Sequence, residues 1–286
     1  MSRVIPESEL IINPDGSIYH LNLKPDHIAH SILAVGDPDR VAKISKHFDR
    51  IDYKGGKREF ITHTGSYRGK RISVISTGMG TDNIEIFMTE LDALVNVNLQ
   101  TRIPKKTHTA LEIVRVGTSG SMQVDIPLDS LLASTHAVGL DSLMTFYSLD
   151  HSSFEREVME RVRNELKLPF IPYCVGGSTR LLQKLGKGLV MGITVTCPGF
   201  FAPQGRMVRL KPAIPGIIQT LSSIQVAENR LSNFEMETAG YYAMGRLLGH
   251  EVLSLNAIIG NRISQTFSTN PDMVVEKLIL HTLNNF

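Results

Sequence analysis

Cysteine is nearly absent: Cys174 and Cys197 are the only two in 286 residues. Two cannot build a disulfide framework, and their spacing is not CxxC. Both are expected as small buried hydrophobes rather than ligands or nucleophiles. An excess of one charge is lacking too, with 30 Lys+Arg against 28 Asp+Glu and a formal net charge of +2. That balance raises no field that would hold nucleic acid or an anionic membrane. The expected partner is a small molecule gripped by local charge. No stretch nears the roughly 18 consecutive apolar residues of a spanning helix. The opening MSRVIPESELIINPDG lacks the apolar core of a secretory signal, so a cytoplasmic protein is expected. Internal repeats, low-complexity tracts and Gly/Ser- or Pro-rich linkers are missing as well. Apolar residues make up 42% and charged residues 20%, ordinary globular usage that excludes a disordered or fibrous chain. At about 150 residues per domain, two domains are the prior, and one large α/β domain is equally admissible.

What is present is an alternation of strand-like and helix-like segments. Ser31 to Val35 has the composition of a buried strand, followed by the turn Gly36-Asp-Pro-Asp39 and a helix from Pro38 to about Phe48. Arg71 to Ser76 is a second strand, ending in Thr77-Gly-Met-Gly80. Ile84, Phe87, Met88, Leu91, Leu94 and Val95 then follow helical spacing, with Asp82 and Glu85 as a capping box. Ile113 to Val116 is a strand expected to end in a turn, Gly117-Thr-Ser-Gly120. Ser153 to Leu166 is amphipathic through Phe154, Val158, Val162 and Leu166, boxed by Ser152 and Glu155. Gly188 to Thr196 and Val252 to Ile259 are strands, with helices near Thr238–Leu248 and from Asp272 to about Leu283. Residues 98–110, with Arg102, Pro104, Lys105 and Lys106, are expected as a solvated loop. Such alternation implies an α/β protein whose mostly parallel or mixed sheet is covered on both faces.

Three strands end in glycine turns, two of them beside arginine: Gly36-Asp-Pro-Asp-Arg40, Thr77-Gly-Met-Gly80 and Arg115-Val-Gly-Thr-Ser-Gly120. In such folds ligands bind beyond the carboxyl ends of strands. Glycine lets backbone N–H groups approach an anion, and arginine adds a forked donor that fits phosphate. Neither GxGxxG nor a Walker A pattern is present. A Ser/His/Asp or Cys/His array is not evident. Arg115 opens an otherwise apolar strand end, where a charge needs a partner. His27-x-x-His30 has helical metal spacing without a third ligand nearby and is expected to be structural or exposed.

Gly36-Asp-Pro-Asp-Arg-Val41, Arg115-Val-Gly-Thr-Ser-Gly120 and Asn233-Phe-Glu-Met-Glu-Thr238 resemble the signature segments of the nucleoside phosphorylase family, which includes the uridine phosphorylases. The resemblance runs from about Tyr19 to the C-terminus. It implies a single three-layer α/β/α domain with a central mixed sheet over 1–286, residues 1–18 forming an N-terminal extension. Phe200-Phe-Ala-Pro-Gln-Gly-Arg206 resembles the uracil-recognition segment of the uridine-cleaving members, and Ile258-Ile-Gly-Asn-Arg262 points the same way. Purine-cleaving relatives carry an aspartate near this late position. The resemblance implies reversible phosphorolysis of uridine to uracil and ribose 1-phosphate, with inorganic phosphate as co-substrate and no cofactor. Arg40 and Arg115 would clamp phosphate with the Gly36 N–H and the Thr118 hydroxyl. Thr118, Met236 and Glu237 would hold the ribose. Gly120, Phe200, Gln204 and Arg206 would take the base, with Gln204 on the N3–H and O2 edge, Arg206 on O4, and Arg262 bracing them. Arg40, Arg115, Gln204 and Arg206 would be the catalytic set.

The same resemblance matches His20 to a histidine that reaches the ribose 5′-hydroxyl of the adjacent subunit, and Arg58 to an arginine that enters the neighbour's phosphate site. A homo-oligomer is therefore expected, a dimer as the minimum and a hexamer as the larger form. Some relatives hold a monovalent cation through residues matching Glu59, the Met79 carbonyl and Asn83. They usually place Pro or Ala and then Ser after the glycine turn, where Asp82 and Asn83 stand here. The alternatives are a phosphorylase for deoxyuridine, thymidine or a purine nucleoside, a nucleosidase using water, and a non-catalytic nucleoside-binding protein.

Overall fold

A computed structural model describes residues 3–286. The described residues fall into two compact units, residues 3–114 with 244–251 and residues 115–243 with 252–286. In the first unit, β1 (Ser31–Val35) is buried at all five positions. After it, α1 (Pro38–Ser45) starts with Pro38 at its first position, and the N-cap Asp37 side chain accepts from the Asp39 N–H. It stops at Ser45, and His47 and Phe48 form turns onto it instead of prolonging it. β2 (Arg50–Lys57), β3 (Phe60–Tyr67) and β4 (Lys70–Ser76) form an antiparallel run, and β4 pairs parallel with β1 from Ser31↔Ile72 to Val35↔Ser76.

The long helix α2 (Thr81–Asn96) buries Ile84, Phe87, Met88, Leu91 and Leu94 as its spacing predicts. Its expected Asp82–Glu85 capping box is not formed. Gly80, at φ 95°, holds the N-cap without a side-chain bond, so Asp82 already lies inside the first turn. The segment expected as a solvated loop is pinned. β5 (Val97–Asn98) pairs with β6 (Ile103–Pro104), Thr109 N–H donates to Asn96 Oδ1 (2.7 Å), and the Arg102 guanidinium donates to the Leu10 carbonyl. His27 stacks on Tyr53 with ring centres 4.0 Å apart, while His30 is exposed.

The strand β7 (Glu112–Ser121) carries the chain from the first unit into the second. The expected turn at Gly117–Gly120 is a continuation of this strand, whose last residues Gly120 and Ser121 pair with Phe234 and Asn233. The other strands are β8 (Leu131–Gly139), β9 (Tyr173–Gly176), β10 (Val190–Thr196), β11 (Gln225–Val226), β12 (Asn229–Glu235), β13 (Glu251–Asn261) and β14 (Thr266–Phe267). They order as β11-β12-β10-β8-β13-β7, with β9 on β8 and β14 on β13. β10 is parallel to β8 and β12, and β13 is antiparallel to β8. β12 also pairs with β7 through Asn233↔Ser121 and Phe234↔Gly120, so β7-β13-β8-β10-β12 closes on itself.

The α-helices of the described residues are completed by α3 (Ser153–Leu166), α4 (Thr179–Leu185), α5 (Ile217–Ser223), α6 (Thr238–Leu248) and α7 (Pro271–Asn285). One core joins Val158, Val162 and Leu166 of α3 to Val138, Ile193, Val195, Leu221 and Phe234, together with Cys174 and Cys197. Both cysteines are buried and neither is in a disulfide, and burial pushes the Cys197 thiol far up, leaving it inert. At the head of α3, Ser152 Oγ accepts from Glu155 N–H, and Glu155 Oε2 accepts from Ser152 N–H at 2.8 Å. Ser152→Ala is expected to lower the unfolding free energy by about 1 kcal/mol in urea denaturation, with activity unchanged. Among the described residues no helix is long and apolar enough to cross a membrane.

Candidate active site

Strand alternation sends residues 115, 117, 119 and 121 of β7 to one face. Arg115 lies there almost fully buried. Its Nη2 donates to Glu237 Oε2 (2.7 Å) and lies 3.0 Å from Glu235 Oε2, while its Nη1 donates to Asn256 Oδ1 (3.0 Å). Burial alone would push this guanidinium down, but the two carboxylates outweigh it and hold Arg115 above its ordinary value. Gly117 makes room for it: a Cβ at 117 would lie 2.1 Å from Arg115 Nη1 and 2.4 Å from Cζ.

Glu235 ends β12 and serves as the hinge to α6. Its carboxylate accepts from the N–H groups of Glu237 (3.0 Å) and Thr238 (2.9 Å) and from Thr196 Oγ1 (2.7 Å). Burial raises its pKa, opposed by Arg115. The two backbone N–H groups only donate and Arg115 faces the same oxygen, so the carboxylate form fits the site. Glu237 therefore sits on a helix entrance whose backbone is fixed from below. Met236 and Thr118 are half-buried beside these residues in sequence.

A second cluster in the same unit gathers the residues expected to take the base. Arg206 Nη1 donates to Gln204 Oε1 (2.5 Å) and to the Phe200 carbonyl (2.7 Å), and its guanidinium lies 3.7 Å from the Phe200 ring centre. Arg262 donates to the carbonyls of Gln204 (2.8 Å) and Gly205 (3.2 Å). Burial and the charge of Arg262 hold Arg206 below the usual arginine value. Gln204 is buried, whereas Phe200 and Phe201 are half exposed and meet edge to face. Phe234 lies 5.9 Å from the Arg206 guanidinium, and Gly120 faces it so closely that a Cβ there would sit 2.9 Å from its ring.

The remaining candidates belong to the first unit. Gly36 lies beside the Gly78 carbonyl, where an added Cβ would come within 3.3 Å. Arg40 is half-buried in the first turn of α1. Arg58 is exposed at the β2–β3 turn with φ 56°. His20 is held by Glu90: its ring Nδ1 lies 2.7 Å from Oε1, and the N–H groups of His20 and Leu21 donate to the same carboxylate at 3.0 and 2.8 Å. In the neutral ring, Nδ1–H donating to Glu90 makes Nε2 the acceptor. Asn83 Nδ2 donates weakly to the Met79 carbonyl (3.4 Å), and a Cβ on Gly78 would lie 2.6 Å from Asn83 Nδ2 and 3.1 Å from Glu59 Cγ. The three residues matched to a cation thus surround Gly78, with the carbonyl already engaged by an amide donor.

Glu90, Glu235 and Asn256 were not singled out by sequence. A signal for Glu90 exists: it falls on the buried stripe of α2 between Phe87 and Leu94, where a carboxylate needs partners. Also in the first unit, Asp92, His108 and His250 bring candidate metal-binding atoms within 4.8 Å of one another. Leu111 N–H donates to His250 Nδ1 (3.1 Å), which places the neutral ring's proton on Nε2, facing Asp92 at 3.4 Å. A protonated Nε2 is a donor, so this trio does not fit a metal.

The family model described as Phosphorylase superfamily matches residues 31–277. The chain belongs to the phosphorylase superfamily. Within that superfamily it is similar to the uridine phosphorylase of Thermococcus kodakarensis, 30% identical over 253 residues that span 88% of this chain and 80% of that one. It is also similar to a DeoD-type purine nucleoside phosphorylase of Alkaliphilus metalliredigens, 28% identical over 261 residues, 88% of this chain and 91% of the relative. Among solved structures, a nucleoside phosphorylase of Trypanosoma brucei, described as showing uridine phosphorylase activity, superposes with a TM-score of 0.88 at 28% identity, covering 97% of this chain and all of the other. The mixed α/β fold expected from the sequence is the fold of this superfamily member. The family match takes in every candidate site residue except His20.

Proposed function

We propose that the chain is a uridine phosphorylase, converting uridine and phosphate to uracil and ribose 1-phosphate and back. The observation that carries this reading is the buried Gln204 amide locked to Arg206 over Phe200, with Arg262 fixing the loop beneath it. An amide and a guanidinium offer the donors and acceptor that the N3–H, O2 and O4 edge of uracil needs. In the proposed reaction the C1′–N1 bond lengthens first, leaving positive charge on the sugar and negative charge on the base. Gln204 and Arg206 bind the base more strongly as it becomes an anion, which is stabilisation of the transition state over the ground state. Gly36, Arg40 and Arg115 are assigned to phosphate, Thr118 to phosphate and to the ribose, Glu237 to the sugar hydroxyls and Met236 to the sugar face. Holding both reactants replaces a covalent intermediate. His20, oriented by Glu90, and Arg58 are assigned to a neighbouring copy's site, with a homodimer as the minimum unit.

A purine nucleoside is the second reading, favoured by the similar extent of the DeoD-type relative. Uracil release from uridine, measured with and without phosphate, tests the first; turnover strictly dependent on phosphate is expected, and release in its absence would turn the reading toward a nucleosidase. Inosine cleaved faster than uridine would favour the purine reading. Arg206→Ala is expected to lower kcat/KM for uridine on the order of 10²-fold, as for loss of one preorganised donor. A value near wild type would remove Arg206 from the base site.

A further inference from the structure

Arg115 is one end of a buried chain of hydrogen bonds that holding an anion does not by itself require. Its Nη1 donates to Asn256 Oδ1 at 3.0 Å, and Asn256 Nδ2 donates to Ser134 Oγ (3.1 Å) and Ser254 Oγ (3.2 Å). Ser134 Oγ lies 2.6 Å from Thr194 Oγ1, Thr194 donates to Asn233 Oδ1 (2.9 Å), and Asn233 Nδ2 donates to Ser119 Oγ (2.9 Å). Ser134, Thr194, Asn233 and Asn256 are fully buried. The chain leaves β7 at Arg115, passes β13, β8, β10 and β12 in their order in the sheet, and returns to β7 at Ser119.

Chemistry fixes the direction of these bonds. A guanidinium only donates, so Asn256 must turn its oxygen to Arg115 and its NH2 to the two serines. Thr194 spends its single hydroxyl proton on Asn233, so Ser134 donates to Thr194. Buried polar groups cost stability unless fully paired, and an apolar filling would serve the fold at least as well. What the polar circuit supplies, and leucine or valine could not, is a fixed acceptor for Nη1. That acceptor opposes the pull of Glu235 and Glu237 on Nη2, which would otherwise swing the guanidinium toward them.

We infer that Asn256 is a positioning residue for Arg115, its carboxamide locked by Ser134 and Ser254 so that the guanidinium keeps one orientation toward an incoming oxyanion. This rests on the reading of Arg115 as a phosphate-holding group. The test titrates full-length wild type, Asn256→Leu and Ser134→Ala with inorganic phosphate by calorimetry, without nucleoside, and follows uridine phosphorolysis separately. Asn256→Leu is expected to bind phosphate about tenfold more weakly or worse, for loss of a charge-assisted bond. Its KM for uridine should stay within about twofold, since the base contacts are untouched. Ser134→Ala keeps the bond to Arg115 but frees one tie on Asn256, and a loss of about two- to threefold is expected. A merely structural role would lower the melting temperature and leave phosphate affinity and the split between the two KM values unmoved. Equal phosphate affinity in wild type and Asn256→Leu overturns the inference; should that variant not fold, equal affinity in Ser134→Ala does so. Wild type that binds phosphate but cleaves no nucleoside overturns the functional reading alone, the loss of affinity in the variants still supporting the role of Asn256. Wild type that binds no phosphate overturns both.

Discussion

Replacing Arg115 with methionine is expected to abolish phosphorolysis and to destabilise the protein by about 3–5 kcal/mol, the range for removing one partner of a buried ion pair. The two effects have one origin. Arg115 is the counter-charge for Glu235 and Glu237, at 3.0 and 2.7 Å, and all three side chains are less than a tenth exposed. Methionine fills much of the volume but leaves two carboxylates facing each other out of water. The deficit should depend on pH with a defined sign. Burial already holds Glu235 above the ordinary carboxylate value with the guanidinium present, and without it the value rises further. A folded-state pKa above the unfolded one gives a contribution that is fully present at low pH and lost as pH rises. The gap between Arg115→Met and wild type in urea denaturation should therefore be smallest at pH values below the ordinary carboxylate range and widen as pH rises from it. Adding Glu235→Gln should recover part of the stability at neutral pH without recovering activity. A variant that keeps both wild-type stability and turnover would show that the buried triad is neither the structural nor the chemical centre of this unit.

Much of the fold was legible because its apolar periods are unbroken. Ser31 to Val35 is buried throughout, and α3 carries both its Val158–Val162–Leu166 stripe and the Ser152–Glu155 box, so each local rule pointed the same way. The neighbouring strands β2 and β3 were not legible. In β3 the buried face is Phe60, Thr62 and Thr64, and Thr64 Oγ1 donates to the His27 carbonyl (2.7 Å), so the alternation is one of hydroxyls rather than of apolar side chains. The glycines of β7 misled for a different reason. They carry the ordinary signal of a turn, yet their service is to leave space inside a strand, Gly117 for Arg115 and Gly120 for Phe234. The candidate site shows the same division. Gln204, Arg206 and Arg262 sit in two short segments whose composition is informative, and the structure joins them by direct bonds. Glu235 stands inside the Asn233–Thr238 segment with no role legible for it, and Asn256 was invisible, since nothing in a run such as Leu255-Asn-Ala257 says that the amide's partner will be an arginine some 140 positions earlier.

Gly117→Ala carries the second large expectation. The alanine methyl would lie 2.1, 2.4 and 2.7 Å from Nη1, Cζ and Nη2 of Arg115, well inside contact distance. A clash with the end of a flexible side chain is ordinarily relieved by a rotamer change at little cost. Here the guanidinium is tied to Glu237, Glu235 and Asn256, so it can yield only by breaking bonds that involve buried charge. The backbone has no easy escape either, because Gly117 lies mid-strand in β7. Overpacking of this kind costs about 1–3 kcal/mol of stability, which should leave a folded protein. Displacing a preorganised donor costs on the order of 10²-fold or more in turnover. The expected outcome is therefore a well-folded variant whose melting temperature falls modestly while phosphorolysis nearly disappears, the loss falling on kcat and on KM for phosphate rather than on KM for uridine. Steady-state kinetics with each substrate varied in turn would check it. If uridine KM rises and phosphate KM does not, Gly117 serves the sugar or base, and the place of Arg115 beneath it must be reassigned.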